Sequence, residues 1–183
     1  MKNNKLENLK EKKNYTTKRI VRIALFAAIC FVATMVHIPL NLGGSPTMIH
    51  LGTTAIFIGA LFLGKDIGWS AAIGCALFDL INPTFVIWTI PTFFLKGATG
   101  YFAGIISHYK GKNGEDMKYN ILAFIVGGII SFVGYFIVNC LFYGLSVAVV
   151  KSTTSIITTT IAVVISVPLC ASKLLVKKAG FKI

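Results

Sequence analysis

The chain has 183 residues, 55% of them hydrophobic and only 13% charged, with a formal net charge of +12. A soluble domain carries roughly 25% charged residues. This chain therefore lacks the means to cover itself in water, and lipid is its expected solvent. The positive charge reads as a signal of membrane orientation, not of nucleic-acid binding.

The basic residues lie in four polar stretches. Met1–Arg22 holds eight Lys and Arg, and Gly64–Asp66 holds Lys65. His108–Lys118 holds Lys110, Lys112 and Lys118, and the tail holds Lys173, Lys177, Lys178 and Lys182. Between them run apolar segments at Ile20–Ile38, Ile49–Leu63, Ile67–Ile81, Pro91–Ile106, Tyr119–Tyr143 and Ser155–Val176. Basic flanks stay on the cytoplasmic side, and six crossings with both ends inside is the arrangement that satisfies the bias. The expected fold is all-α: a six-helix transmembrane bundle over residues 20–176, between cytoplasmic basic tails at 1–19 and 177–183. No small-residue cleavage pattern follows Ile20–Val36, so that segment reads as the first span and not as a signal peptide. The second, third and fourth runs fall short of the ~20 residues a membrane helix needs, which calls for little tilt or local bilayer thinning.

The connections expected on the outside are Pro39–Met48, Asn82–Ile90 and Gly144–Thr154. Pro39–Met48 contains Gly43-Gly44 and Pro46 and reads as the most flexible of the three, a candidate lid.

Polar residues inside membrane spans are costly and often functional. Here they gather towards the outer side. Asp79 lies near the outer end of the third span, and Lys96 lies roughly 8 Å below the start of the fourth at 1.5 Å per residue. The two are expected to meet as an ion pair. His37 ends the first span and His50 begins the second. Asn139 and Tyr143 lie on the fifth, and Ser155 and Thr158 open the sixth. Trp88, Tyr101, Tyr135 and Tyr143 are available to stack a flat ligand. The inner halves are almost wholly apolar, which suits a pocket open to one side and not a channel or proton relay.

Several chemistries lack their residues. Gly59–Lys65 has the spacing of a phosphate-binding loop, but Asp66 stands where Ser or Thr should follow, and the run is a span, not a strand-to-helix turn. No His-Glu-x-x-His motif or Ser nucleophile elbow occurs, so enzyme chemistry is unsupported. The four cysteines have no metal or redox spacing and read as packing residues. No cofactor or metal is expected. Ala24-x3-Ala28 and Gly100-x3-Gly104 have the spacing that lets helices approach closely in lipid.

Together these features resemble the substrate-binding S component of energy-coupling factor (ECF) vitamin transporters. Ala24-x3-Ala28 is similar to that family's first-helix motif. Ile49-His50-Leu51-Gly52 with Ile58–Gly64 resembles its second helix, and Gly74–Leu80 and Phe94–Gly100 resemble its third and fourth. The group of hydroxymethylpyrimidine- and pyridoxine-type S components is the most similar. This chain departs from it at Thr53, at Asn139 and at Thr153–Thr158, where that group often has an acid, a Glu and a Pro-Gly-Asn-x-x-Gln run. The resemblance implies a multi-pass protein of the bacterial plasma membrane that captures a small vitamin-like ligand and has no ATPase of its own. Its implied partners are a transmembrane coupling subunit, met through Ala24 and Ala28, and two cytoplasmic ATPases. The expected ligand is small, flat and heteroaromatic, bound by His50, Asp79, Lys96, Asn139, Tyr143, Ser155 and Thr158. A stand-alone solute carrier and a membrane scaffold are the alternative classes.

Overall fold

The computed structural model describes residues 2–178. Six α-helices run in chain order: α1 Lys2–Met35, α2 Gly52–Leu63, α3 Ile67–Ile81, α4 Thr89–Ser107, α5 Met117–Tyr143 and α6 Leu145–Lys178. Between α1 and α2 lies an antiparallel ribbon of β1 His37–Leu42 and β2 Ser45–His50.

Three of these elements depart from the sequence expectation. No Gly or Pro interrupts residues 2–35, so α1 continues back through the basic tail instead of starting at Ile20. The stretch expected to be a loop at Gly144–Thr154 is the start of α6. Gly144, at φ +82°, alone separates α5 from α6, and nothing between Leu145 and Val167 breaks a helix. The expected flexible lid is an ordered hairpin. Gly43 and Gly44 hold φ of +62° and +72°, the two positive values that a tight hairpin turn needs. Pro39 pairs with Met48, and Asn41 with Pro46. Proline is tolerated because a two-stranded ribbon is all edge.

Among the described residues three stretches are long and apolar enough to cross a membrane by length and composition: Gly52–Ile81, Met117–Tyr143 and Leu145–Ala171. The first is folded back on itself. Gly64 adopts φ +56° and ψ −139°, which ends α2. Thr34 of α1 then touches both arms: its Oγ1 lies 3.6 Å from Cys75 Sγ, and a Cβ added at Gly52 would strike the same oxygen. Gly52 and Cys75 therefore stand at one level, and α2 and α3 run antiparallel.

Large apolar side chains such as Ile90, Phe94 and Leu141 face outward, and many small and polar residues are buried alongside Phe57, Phe124, Ile56 and Leu61. Close approach depends on glycine. Gly74 lies on the Ala27 carbonyl, Gly100 on the Gly68 backbone, and Gly104 on the Gly64 carbonyl. The end of the bundle away from the hairpin is closed by apolar packing. Phe57 stacks on Phe124 with centroids 5.0 Å apart, surrounded by Cys30, Ala60, Leu61, Ile67 and Ala103. At the same end Arg19 donates twice to Asp66, at 2.6 Å each, tying α1 to the α2–α3 turn. Lys112 pairs with Asp116 at 3.1 Å and holds its carboxyl below the usual range, and Asp116 also caps α5 through the Lys118 N–H.

Gly104→Ala forces a methyl group into the Gly64 backbone, which cannot swing aside. The melting temperature of the detergent-purified variant should fall by the equivalent of about 1–3 kcal/mol. Gly134→Ala meets only the movable Leu95 side chain and should cost less. Equal melting points for the two variants would show that backbone contact at Gly104 does not set the packing.

Candidate functional site

Beneath the hairpin lies a cavity of about 90 Å³, far beyond the ~10–15 Å³ that one water requires. Every helix contributes to its wall. Thr34 comes from α1 and Thr53 from α2, with Cys75 and Asp79 from α3. Thr92 and Lys96 come from α4, and Ser131, Tyr135 and Asn139 from α5. Lys151, Thr154, Ser155, Thr158 and Thr159 come from α6, and β2 closes the roof with Pro46, Thr47, Met48 and His50. Phe85 and Trp88, from the α3–α4 connection, complete the wall.

Six of the seven residues singled out from the sequence line this cavity: His50, Asp79, Lys96, Asn139, Ser155 and Thr158. Tyr143 does not. It stacks on Trp88 with centroids 6.3 Å apart and supports the wall from behind. His37 also stays outside, its Nδ1 bonded to the Met35 carbonyl and its ring edge-on to Phe78. Of the aromatic residues noted beside the polar cluster, Trp88 and Tyr135 reach the cavity, while Tyr101 faces outward.

The expected Asp79–Lys96 ion pair does not close. Lys96 is only 3% exposed, and its Nζ donates to Thr53 Oγ1 at 2.8 Å and lies 5.2 Å from the Tyr135 ring centre. The ammonium is drawn to a hydroxyl at the start of α2 and an aromatic face on α5, not to α3. Thr53 is also one of the positions where the sequence departs from the pattern it resembles. In place of an acid, a neutral acceptor meets the lysine. Asp79 is 2% exposed.

The remaining polar groups divide by their hydrogen bonding. Thr92 and Tyr135 bond through their hydroxyls at 3.0 Å. His50 Nδ1 accepts the Gly52 N–H at 3.0 Å, which leaves Nε2 to carry the proton of the neutral ring. Asn139 donates through Nδ2 to the Tyr135 carbonyl at 2.8 Å, while its buried Oδ1 has no partner. Such an acceptor is costly to leave unpaired. Asn139 itself lines the cavity.

Sequence reasoning placed Lys151 in an outside loop. It is instead 3% exposed on the first turns of α6. Its Nζ donates to Ser45 Oγ at 3.1 Å and to the Pro46 carbonyl at 2.9 Å, and lies 4.2 Å above the Tyr143 ring. The available signal was its isolation: it is the one basic residue outside the four polar stretches and the apolar spans. Thr34, Ser131 and Thr154 were also missed, because a single hydroxyl on an apolar helix is ordinarily bonded to its own backbone. Ala24 and Ala28 face away from the bundle on α1, whereas Ala27 between them is buried. No group of His, Cys, Asp and Glu among the described residues has the arrangement of a metal site.

Residues 14–177 match the sequence model of a family described as the ECF-type riboflavin transporter, S component, and the chain belongs to that family. It is thus a membrane-embedded substrate-binding subunit of a transporter family, not a member of an enzyme family. The narrower likeness to the hydroxymethylpyrimidine and pyridoxine group is not part of this match. Comparison with curated proteins finds no match.

Thr53→Val keeps the shape of the side chain and removes the acceptor of Lys96. The buried ammonium should lose about 1–3 kcal/mol of stabilisation, read as a lower melting temperature in detergent, and Thr53→Ser should restore it. A Thr53→Val protein that melts like the parent would mean that Lys96 is held by the Tyr135 ring instead.

Proposed function

We propose that this chain is the substrate-capture subunit of an ATP-driven importer in a bacterial plasma membrane. It takes up a small, flat, heteroaromatic vitamin or vitamin precursor. The observation that carries the reading is the cavity beneath the hairpin. Polar side chains from all six helices converge on one end of the bundle, and the other end is closed by Phe57, Phe124 and small apolar residues. That asymmetry suits capture from one side followed by a movement that a partner must drive. In this reading six crossings place both chain ends and the Ser107–Lys118 connection in the cytoplasm. Residues 20–176 form the substrate-binding domain between two basic tails. A coupling subunit docks on α1 through the outward-facing Ala24 and Ala28, and two ATPases supply the energy.

The ligand stacks against Trp88 and Tyr135. Asn139 Oδ1 accepts a hydrogen bond from it, Ser155 and Thr158 donate to it, and His50 approaches from above. Asp79 and Lys96 form the polar wall, and Tyr143 backs the aromatic surface. The family description names riboflavin. The pyridoxine-like and hydroxymethylpyrimidine-like rings are smaller candidates for the same geometry.

Native mass spectrometry of gently purified protein should reveal a co-purifying small molecule. Asn139→Ala should then weaken its binding roughly 5- to 150-fold, the equivalent of about 1–3 kcal/mol, with no loss of fold. Thr160→Ala, on the exposed side of α6, should bind like the parent. Unchanged affinity in Asn139→Ala would move the ligand away from α5.

Orientation is tested separately. A single cysteine at Gly111, in a background without Cys30, Cys75, Cys140 and Cys170, should resist a membrane-impermeant thiol reagent in intact cells. It should react once the cells are opened. Labelling in intact cells would overturn the six-crossing arrangement.

A further inference from the structure

Lys151, Ser155 and Thr158 follow the i, i+4, i+7 spacing of one helix face, and all three line the cavity. This stripe of α6 offers donors. Lys151 is an ammonium with three N–H groups. Two of them go to neutral acceptors of the hairpin, Ser45 Oγ and the Pro46 carbonyl. Ser155 and Thr158 have hydroxyls that make no hydrogen bond to another group of the protein. No carboxylate pairs with Lys151, whose other neighbours are the faces of Tyr143 and Trp88, at 4.2 and 5.3 Å. Among the described residues lining the cavity, Asp79 is the one carboxylate, against two lysines, and it lies on α3. The unpartnered acceptor, Asn139 Oδ1, lies on α5.

The cavity is therefore polarised. Asp79 on α3 acts electrostatically on Lys96 of α4, and Asn139 supplies a further acceptor on α5; Lys151, beside the free hydroxyls of α6, has no carboxylate acting on it. A buried ammonium without a counter-ion is costly in a lipid-embedded bundle. A ligand that brings its own negative charge removes that cost and gains charge-assisted hydrogen bonds. A neutral ligand leaves the cation uncompensated.

We infer that α6 carries an oxyanion subsite, in which Lys151, Ser155 and Thr158 bind a carboxylate or phosphate-ester group of the heteroaromatic ligand. This rests on the proposed function and narrows its substrate class to acidic members. The ring lies against the adjoining Trp88 and Tyr135 side chains, whose centroids are 5.8 Å apart, and turns its hydrogen-bond donor towards Asn139. Its acidic substituent points up the α6 stripe towards the hairpin. Lys151 is then both a ligand contact and the link that draws Ser45 and Pro46 over the occupied site.

The test compares acidic and neutral forms of one ring by quenching of tryptophan fluorescence. The probes are pyridoxine, pyridoxine 5′-phosphate and 4-pyridoxate, with riboflavin and flavin mononucleotide as a second series. In the parent protein an acidic member should bind about tenfold or more tighter than its neutral counterpart, the scale expected for a hydrogen bond to a charged group. Whether the phosphate or the carboxylate is preferred identifies the oxyanion. Lys151→Met should collapse the acid-over-neutral ratio towards one, and Lys151→Arg should preserve it. Thr160→Ala is the control whose ratio should not change. Because the readout is a ratio within one variant, partial loss of folded protein does not mimic it.

A neutral member that binds as tightly as its acidic counterpart overturns the subsite and leaves the vitamin-capture reading standing. Equal weakening of both forms in Lys151→Met also overturns it, since Lys151 would then only fasten the hairpin. Failure of all five probes to bind overturns the acidic-heteroaromatic assignment, while ATP-dependent uptake with the partner subunits still decides the broader reading.

Discussion

The structure turns on how a charged ammonium is kept inside a protein whose solvent is hydrocarbon. Lys96 lies in the middle of the bundle's polar end, and its charge has to be met by the protein itself, because lipid offers no acceptor. Thr53 meets it from the start of α2, and Tyr135 meets it with its ring face from α5. Thr53 can stand there because the hairpin delivers the chain back to the bundle at His50, whose Nδ1 accepts the Gly52 N–H and orients the first turn of α2. One buried charge thus constrains the hairpin and helices α2, α4 and α5 together.

The opposite end is built on the contrary rule. Where no polar group has to be served, helices can close to backbone contact. Gly64, Gly68, Gly100, Gly104 and Gly114 let them do so. The helices there are held by van der Waals contact and a few backbone-directed bonds, such as Ser107 Oγ to the Ala60 carbonyl at 3.1 Å. Tight packing on one side and a polar opening on the other are two consequences of one glycine and hydroxyl distribution. The same distribution leaves room for a solute at the hairpin end, while the far end is filled by Phe57, Phe124 and small apolar residues.

Much of this was legible in the sequence, and the failures have physical causes. Apolar run lengths and the basic stretches located most helices within a few residues. The clustering of polar residues in the sequence points to six positions that line the cavity. In the sequence the hairpin reads as a loose loop because Gly43-Gly44 and Pro46 signal an irregular backbone. The Gly43-Gly44 pair, read there as freedom, is the residue chemistry of a tight turn. The start of α6 was read as a loop because Lys151 and the hydroxyls of 152–155 interrupt the apolar run. Interruption of hydropathy is not interruption of a helix when no glycine or proline accompanies it. The Asp79–Lys96 pair was inferred from depth alone. Depth places two groups on one level but says nothing about which way a long side chain turns, and Lys96 turns towards α2 and α5.

The hairpin and α6 are best understood as one unit. Gly43 packs on Val147, Thr47 bonds Thr154 at 3.0 Å, and Lys151 holds both Ser45 and Pro46. All these contacts fall on the first three turns of α6, above Ser155 and Thr158. A ligand that engages the lower part of that stripe lies directly beneath the contacts that hold the roof. Occupancy and closure therefore share a helix face, and no separate relay between them is needed. Lys151 joins the two. Its stem belongs to the wall and its ammonium to the roof, and the charge it carries stays unbalanced until something acidic arrives beneath it.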